Sequence, residues 1–151
     1  MSPRTVDEAL VRLFQSISEP LSRYALFLVL FWFGALKVVA VSPASDLVRQ
    51  LFERTIPIMP FFVFMILFGL LECLIGILFL IRGCERVVIP LLFLHMLTTF
   101  FPLVLLPQQT WSGPFIPTLE GQYIIKNTII IALAIGIASH LHPLSAKRAT
   151  S

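Results

Sequence analysis

Four ionisable residues lie inside long apolar runs of this sequence: Lys37, Glu72, His95 and Lys126. A charge at the centre of a bilayer costs on the order of 2.5–3.5 kcal/mol even on a lenient insertion scale. Such side chains therefore usually face the interior of a helical assembly and pair with each other. A lysine can donate hydrogen bonds to a carbonyl oxygen of a ligand, and a carboxyl or imidazole group can handle a proton.

Small and polar residues share a helix face with three of these charges, within arcs of about 100° at the helical period. Small residues let a neighbouring helix approach closely, so we expect these faces to point inward. The residues are Gly34 beside Lys37, then Gly69, Cys73 and Gly76 beside Glu72, and Thr98, Thr99 and Pro102 beside His95.

Lys37, Glu72, His95 and Lys126 are expected to form one polar layer between the helices, and two interpretations of it stay open. In the first, Glu72 neutralises Lys37 or Lys126 so that the helices assemble in one arrangement, and His95 bonds to Thr99 or Glu72. In the second, the layer lines a small polar cavity, because intramembrane ionisable residues are typical of functional sites. We take the second as the working hypothesis.

The composition indicates a membrane protein. Of the 151 residues, 58% are hydrophobic and 13% charged, and the mean hydropathy is +0.94. Soluble helices carry apolar residues as a stripe, whereas the runs here are apolar on all sides. A single small domain cannot bury four such runs in water, so lipid is the expected solvent.

We predict an all-α fold, an integral membrane four-helix bundle. Each apolar run is long enough to cross a hydrocarbon core of roughly 30 Å, or most of it. The predicted spans are residues 24–41, 57–81, 87–107 and 123–141, within a transmembrane domain over residues 23–141. An amphipathic segment over residues 1–22 precedes it, and a tail over residues 142–151 follows. Ser45 is expected to cap a further short amphipathic helix.

The distribution of Lys and Arg predicts that both termini, and hence the leading segment and the tail, are cytoplasmic. Seven basic residues flank one side and two the other. The first group is Arg4, Arg12, Arg23, Arg82, Arg86, Lys147 and Arg148, and the second is Arg49 and Arg54. Counted from the cytoplasmic ends, Glu72 and His95 lie at roughly 14–15 Å and the two lysines at roughly 21–22 Å. A lysine stem can bridge that gap.

Several functions are disfavoured by the sequence. The net charge of +3 is scattered over loops and tails without a clustered basic patch, so no nucleic-acid partner is expected. No Cys/His cluster has zinc spacing, and no pair of histidines matches in depth for haem. No serine–histidine–acid arrangement indicates hydrolysis. We assign no catalytic residue and no metal ligand.

Four segments resemble DoxX-like membrane proteins over roughly residues 20–140. Phe31-Trp32-Phe33-Gly34-Ala35-Leu36-Lys37 resembles their W-x-G-x-x-K segment, and Gly69-Leu70-Leu71-Glu72-Cys73-Leu74-Ile75-Gly76 their G-x-x-E-x-x-x-G helix. Thr98-Thr99-Phe100-Phe101-Pro102 is similar to their third-helix threonine segment. Pro117-Thr118-Leu119-Glu120-Gly121-Gln122-Tyr123-Ile124-Ile125-Lys126-Asn127 resembles the start of their fourth helix.

This resemblance implies a bacterial inner-membrane protein with a redox connection. The superfamily takes its name from a subunit associated with a terminal quinol oxidase, includes the membrane part of thiosulfate:quinone oxidoreductase, and has relatives linked to oxidative-stress resistance. The implied cofactor is a quinone, and the implied partners besides lipid are a soluble oxidoreductase or further copies of the chain. The expected ligand-binding residues are Lys37, Glu72, His95, Thr98, Thr99, Glu120, Lys126 and Asn127.

Two other functions remain open from the sequence. The chain can be a small carrier or channel that passes a solute or protons along the same polar residues. It can also be a non-catalytic anchor that holds a soluble oxidoreductase at the membrane through its amphipathic N-terminal segment. Four spans without broken inverted repeats make the carrier the less favoured of these.

Overall fold

The computed structural model describes residues 3–56 and 58–143. The predicted tail over residues 142–151 therefore lies almost wholly outside the described residues, as does Pro57 at the predicted start of the second span. The chain is mainly helical. Its elements are α1 (Pro3–Val38), α2 (Ser45–Thr55), α3 (Phe61–Leu80), α4 (Glu85–Phe100), α5 (Pro102–Leu105), α6 (Pro107–Thr110), β1 (Trp111–Gly113), β2 (Ile116–Pro117) and α7 (Leu119–Ala138).

Four helical stretches are long and apolar enough to cross a membrane, which confirms the predicted number. They are Val6–Val38, Phe61–Leu80, Glu85–Leu105 and Leu119–Ala138. The third combines α4 with α5. Pro102 is in the first turn of α5, where a proline is well tolerated because no intrahelical hydrogen bond needs its missing N–H. The fourth begins four residues before the predicted start, because Thr118 caps it by accepting a hydrogen bond from the Gly121 amide.

The first helix is longer than predicted. α1 continues through residue 22 without a break, so the amphipathic segment and the first span are one helix of 36 residues, corresponding to about 54 Å. Pro20 lies inside it and is exposed. The carbonyl group one turn earlier can therefore bond to water instead of to the missing proline N–H. The change from polar to apolar composition marks a change of surroundings and does not mark a helix end.

Two glycines bring α1 and α3 into backbone contact. A Cβ atom added at Gly34 would lie 2.6 Å from the Gly69 carbonyl oxygen, and one added at Gly69 would lie 2.6 Å from that of Gly34. Two turns further along α3, a Cβ at Gly76 would lie 3.0 Å from the Phe31 amide nitrogen. The two helices run antiparallel, with Gly34 opposite Gly69 and Phe31 opposite Gly76. This spacing is possible only where side chains are absent.

One buried apolar cluster joins all four long helices. Its members have 6% exposure or less and are Leu26 and Leu30 of α1, Ile75 and Phe79 of α3, Val88, Ile89, Leu92 and Met96 of α4, and Ala134 and Ile137 of α7. Large apolar side chains elsewhere on these helices are exposed. The arrangement of a packed interior and an apolar exterior is that of helices in lipid.

The shorter elements lie at the other end of α1 from its N terminus. The helix predicted near Ser45 is present as α2, but Ala44 holds the cap position and the Ser45 hydroxyl donates to the Ser42 carbonyl at 2.7 Å. Between α5 and α7, β1 and β2 pair antiparallel. The segment is held by the Thr118 hydroxyl, which donates to the Gln109 carbonyl at 2.6 Å, and by the Trp111 indole, which donates to the Leu103 carbonyl at 3.0 Å.

We expect Gly69→Ala to destabilise the protein by about 1–3 kcal/mol, because the new methyl group would overlap the Gly34 carbonyl and force α1 and α3 apart. Thermal unfolding of the purified protein in an uncharged detergent measures the effect. Gly136→Ala is the matched control, since nothing lies within 4 Å of its added Cβ. Equal melting temperatures for the two variants would contradict the role of the glycine contact.

Candidate functional site

Three of the predicted residues form a buried ionic network, which we call the Glu72 network: Lys37, Glu72 and His95. The Lys37 ammonium donates to Glu72 Oε2 at 2.5 Å, and His95 Nε2 lies 3.0 Å from Glu72 Oε1. Relative exposures are 7%, 6% and 3% in that order. Both oxygens of one carboxylate are thus used, each by a residue of a different helix.

The local sequence explains why these groups meet. Lys37 and Glu72 each follow a contact glycine by three residues, Gly34 on α1 and Gly69 on α3, so both lie on the contact face. Because the helices run antiparallel, the two residues lie on opposite sides of the glycine contact, and the long Lys37 stem spans the distance between them. The Phe68 ring packs beside both residues that contact Glu72: its centroid is 4.8 Å from that of the His95 ring and 5.7 Å from the Lys37 nitrogen. Close helix packing therefore produces the ion pair, and an aromatic ring shields it.

The contact with Glu72 orients the His95 ring. An ionised carboxylate only accepts hydrogen bonds, so Nε2 must carry the hydrogen that bonds to Glu72. His95 Nδ1 is buried and has no hydrogen-bond partner among the described residues. With a neutral imidazole, the network has one positive and one negative charge and is balanced. Nδ1 is then a free acceptor, which is the arrangement in which a carboxylate orients an imidazole as a proton acceptor.

A cavity of about 370 Å³ reaches the network from one side. Lys37 is the only member of the Glu72 network that lines it. The other lining residues come from the turn after α1, from α2 and from the start of α3, and are Ala40, Ser45, Arg49, Phe61, Phe62 and Met65. Arg49 and Phe62 are exposed, so the cavity opens at the protein surface. Of the three network residues, Lys37 is therefore the one that a ligand in the cavity would contact.

The turn that follows Lys37 is strained. Ala40 has φ 59°, in the left-handed region that favours glycine. The Val41 amide donates to the Leu36 carbonyl and the Ala40 amide to the Lys37 carbonyl, the pair of bonds that closes a helix with a left-handed residue. Ala40 also lines the cavity. A non-glycine residue is thus held in an unfavourable conformation at the cavity wall.

The remaining predicted residues do not join the network. The hydroxyls of Thr98 and Thr99 donate to carbonyls of their own helix, those of His95 at 2.7 Å and Met96 at 2.8 Å. The Asn127 amide lies 3.5 Å from Thr99 Oγ1. These contacts connect α4 to α7 but leave the ion pair untouched.

Lys126 and Glu120 are both exposed, contrary to the inward position expected for Lys126. Lys126 lies over the Tyr123 ring, with 5.5 Å between its nitrogen and the ring centroid. The physical reason is rotation about the helix axis. Ile124 is buried, and a residue two positions later points about 200° away. The depth of Lys126, counted in residues from the helix end, does not depend on this rotation.

A second charged network, which we call the Arg23 network, was not predicted from the sequence: it joins buried Arg23 and Glu85 to half-buried Glu19. Arg23 is 8% exposed and donates to Glu85 at 2.5 Å and to Glu19 at 2.8 Å. Glu85 also accepts from the Gly83 amide at 2.8 Å, which joins the α3–α4 turn to α1. The spacing of Glu19 and Arg23 was a usable signal, because four residues separate an ion pair on one helix face.

No group of three or more His, Cys, Asp and Glu residues that could hold a metal occurs in the described ranges. In comparisons with known proteins, no family model, no curated protein and no solved structure matches the chain.

Glu72→Gln should lower the free energy of unfolding by about 3–5 kcal/mol, since it leaves the buried Lys37 ammonium without its counter-charge. The double variant Lys37→Met/Glu72→Gln removes both charges at nearly constant volume, and we expect it to regain most of that loss. Thermal or chemical unfolding in an uncharged detergent compares the three proteins. A double variant as unstable as the single one would show that the pair is not coupled in this way.

Proposed function

We propose that the four long helices form a transmembrane bundle in a bacterial inner membrane, with both termini in the cytoplasm. The apolar cluster shared by α1, α3, α4 and α7 supports the bundle. The excess of Lys and Arg before the first span, between α3 and α4 and in the tail supports the orientation. In that orientation the cavity and α2 lie toward the outer face, and the Arg23 network toward the inner face.

We further propose that the chain is a redox-associated membrane subunit that binds a quinone-type head group in the cavity. The observation that carries this proposal is the buried Glu72 network with an open cavity at Lys37. Charged side chains inside apolar helices cost free energy, and binding a ligand in the adjoining cavity would explain why Lys37 is retained there. The resemblance to DoxX-like proteins supports a quinone as the ligand class.

The geometry suggests separate roles for the three residues. Lys37 lines the cavity and would donate a hydrogen bond to a carbonyl oxygen of the head group. Glu72 would orient the Lys37 ammonium and connect it to His95, whose Nδ1 has no hydrogen-bond partner among the described residues and would serve as the proton-handling group. Electrons would come from a partner oxidoreductase. Lys126 has no role in this proposal, because it lies outside the network.

The test is the binding of a short-tailed quinone to the full-length protein in an uncharged detergent. We expect saturable binding by the wild type, equal binding by Lys126→Ala, and binding weaker by at least roughly tenfold in Lys37→Met/Glu72→Gln, the loss of one charge-assisted hydrogen bond. Lys126→Ala is the matched control because it also removes a lysine from an apolar helix. Absence of binding by the wild type, or undiminished binding by the double variant, would overturn the proposal.

A second candidate function is that of a membrane anchor for a soluble partner. One face of the N-terminal half of α1 is apolar and exposed, with Val6, Leu10, Leu13, Phe14 and Ile17 at helical spacing. No described residue covers this face, which is the surface expected of a docking helix.

For the anchor function, we expect an oxidoreductase that co-purifies with the full chain to be lost from a variant lacking residues 1–18. The deletion removes the exposed face but keeps Glu19 and the Arg23 network. Affinity purification followed by identification of bound proteins measures the loss. Unchanged co-purification from the shortened chain would count against the anchor.

A further inference from the structure

The wall of the cavity contains a positive charge, that of Arg49, with no carboxylate of the described residues in direct contact with it. Lys37 at its floor is neutralised by Glu72. Arg49, on α2, forms neither an ion pair nor a hydrogen bond within the described part of the chain. Its guanidinium instead lies 4.3 Å from the centroid of the Phe61 ring. The stacking holds the planar group at the cavity wall while its N–H donors stay available.

Lys37, at the floor of the cavity, also has N–H donors that are available to a ligand. Within the described ranges, the Lys37 ammonium bonds to one acceptor, Glu72, although an ammonium group carries three N–H donors. The cavity lining therefore has a guanidinium and an ammonium, is rich in donors, and includes no carboxylate among the described residues. The complementary ligand group is an oxygen that is a strong acceptor and bears negative charge.

The rest of the lining is apolar. Phe61, Phe62, Met65 and Ala40 make up most of the wall, and Phe62 is 61% exposed on α3. A small hydrated anion gains nothing from such walls, whereas an alkyl or isoprenoid body does. Phe61, Phe62 and Met65 belong to α3, one of the helices that can span a membrane, so this part of the wall would adjoin lipid in the proposed bundle. The lining thus fits a molecule that has one charged head and an apolar body.

We infer that this cavity selects amphiphiles whose head group carries an anionic oxygen, a phosphate or a carboxylate, and that Arg49 determines this selectivity. The inference rests on the proposed function for the use of the cavity, and adds the charge of its ligand. A quinone-type molecule satisfies it when an acidic substituent or its reduction supplies the charge. Arg49 contacts the ligand at the mouth of the cavity, and Lys37 contacts it at the floor.

The test compares head groups on one alkyl chain, using the full-length protein in a maltoside detergent and native mass spectrometry to count bound molecules. The probes are dodecyl phosphate, dodecanoate, dodecanol and inorganic phosphate. We expect the two acidic amphiphiles to bind at least roughly tenfold more tightly than dodecanol, by one charge-assisted hydrogen bond. Inorganic phosphate should bind weakly. Equal binding of dodecanol would overturn the inference, and equal binding of inorganic phosphate would overturn the amphiphile as the ligand.

Variants of α2 assign the selectivity to Arg49. We expect Arg49→Gln to reduce the preference for acidic amphiphiles by roughly tenfold and Arg49→Lys to retain part of it. Arg54→Gln is the matched control, because it removes the same charge from the same helix but does not line the cavity. Equal melting temperatures would establish that the variants are folded. Undiminished preference in Arg49→Gln would overturn the role of Arg49.

Failure of this inference is distinguishable from failure of the proposed function. A protein that binds the short-tailed quinone but does not distinguish dodecyl phosphate from dodecanol would overturn the inference and leave the proposed function standing. A protein that selects dodecyl phosphate and binds no quinone would overturn the proposed function and support the charge selectivity.

Discussion

The ion pair between Lys37 and Glu72 is the interaction on which the arrangement of this protein depends. Two opposite charges inside apolar helices are tolerated only when they are in direct contact, because each alone would lose its hydration without compensation. The 2.5 Å contact between them therefore requires α1 and α3 to approach closely. Gly34 and Gly69, one turn away, make that approach possible by removing the side chains in between.

A second ionic contact ties α1 at another level. Arg23 bonds to Glu85 at the start of α4 and to the Phe79 carbonyl at the end of α3. Arg23 and Lys37 are 14 residues apart on α1, a separation of about 21 Å along the axis. Between the two levels lies the apolar cluster of Leu26 and Leu30 with α3, α4 and α7. Apolar packing alone allows helices to slide or rotate in lipid, whereas two charged contacts at fixed levels allow one alignment.

The turn after α1 and the short helix α2 form a cavity beside the Lys37–Glu72 ion pair. Because Ala40 turns the chain sharply after α1, α2 begins close to Lys37 and brings Arg49 against Phe61. The unfavourable conformation of Ala40 is maintained by the two hydrogen bonds that close the helix. The cavity is thus a product of how α1 ends: a helix that continued straight would have carried the chain away from the ion pair. The only member of the Glu72 network that a ligand can reach through it is Lys37.

The sequence by itself determined the number and approximate bounds of the apolar helices, since hydropathy and length depend only on local composition. It also determined that Lys37, Glu72 and His95 had to be compensated inside them, and the glycines of α1 and α3 indicated the contact faces. It underestimated the length of α1, because a helix does not end where its surroundings change.

Only the tertiary structure decided which groups pair. Glu72 binds Lys37 and His95. Lys126, at a depth along its helix similar to that of Lys37, is exposed. Arg23 is buried, although its position in the sequence is that of a charge flanking the first span. The reason is geometric. Depth along a helix follows from a constant rise per residue, but the direction in which a side chain points depends on which face packs against a neighbour. That face is set jointly by residues on several helices, such as Ala134 and Ile137 of α7 packing against the others, and no single segment contains the information.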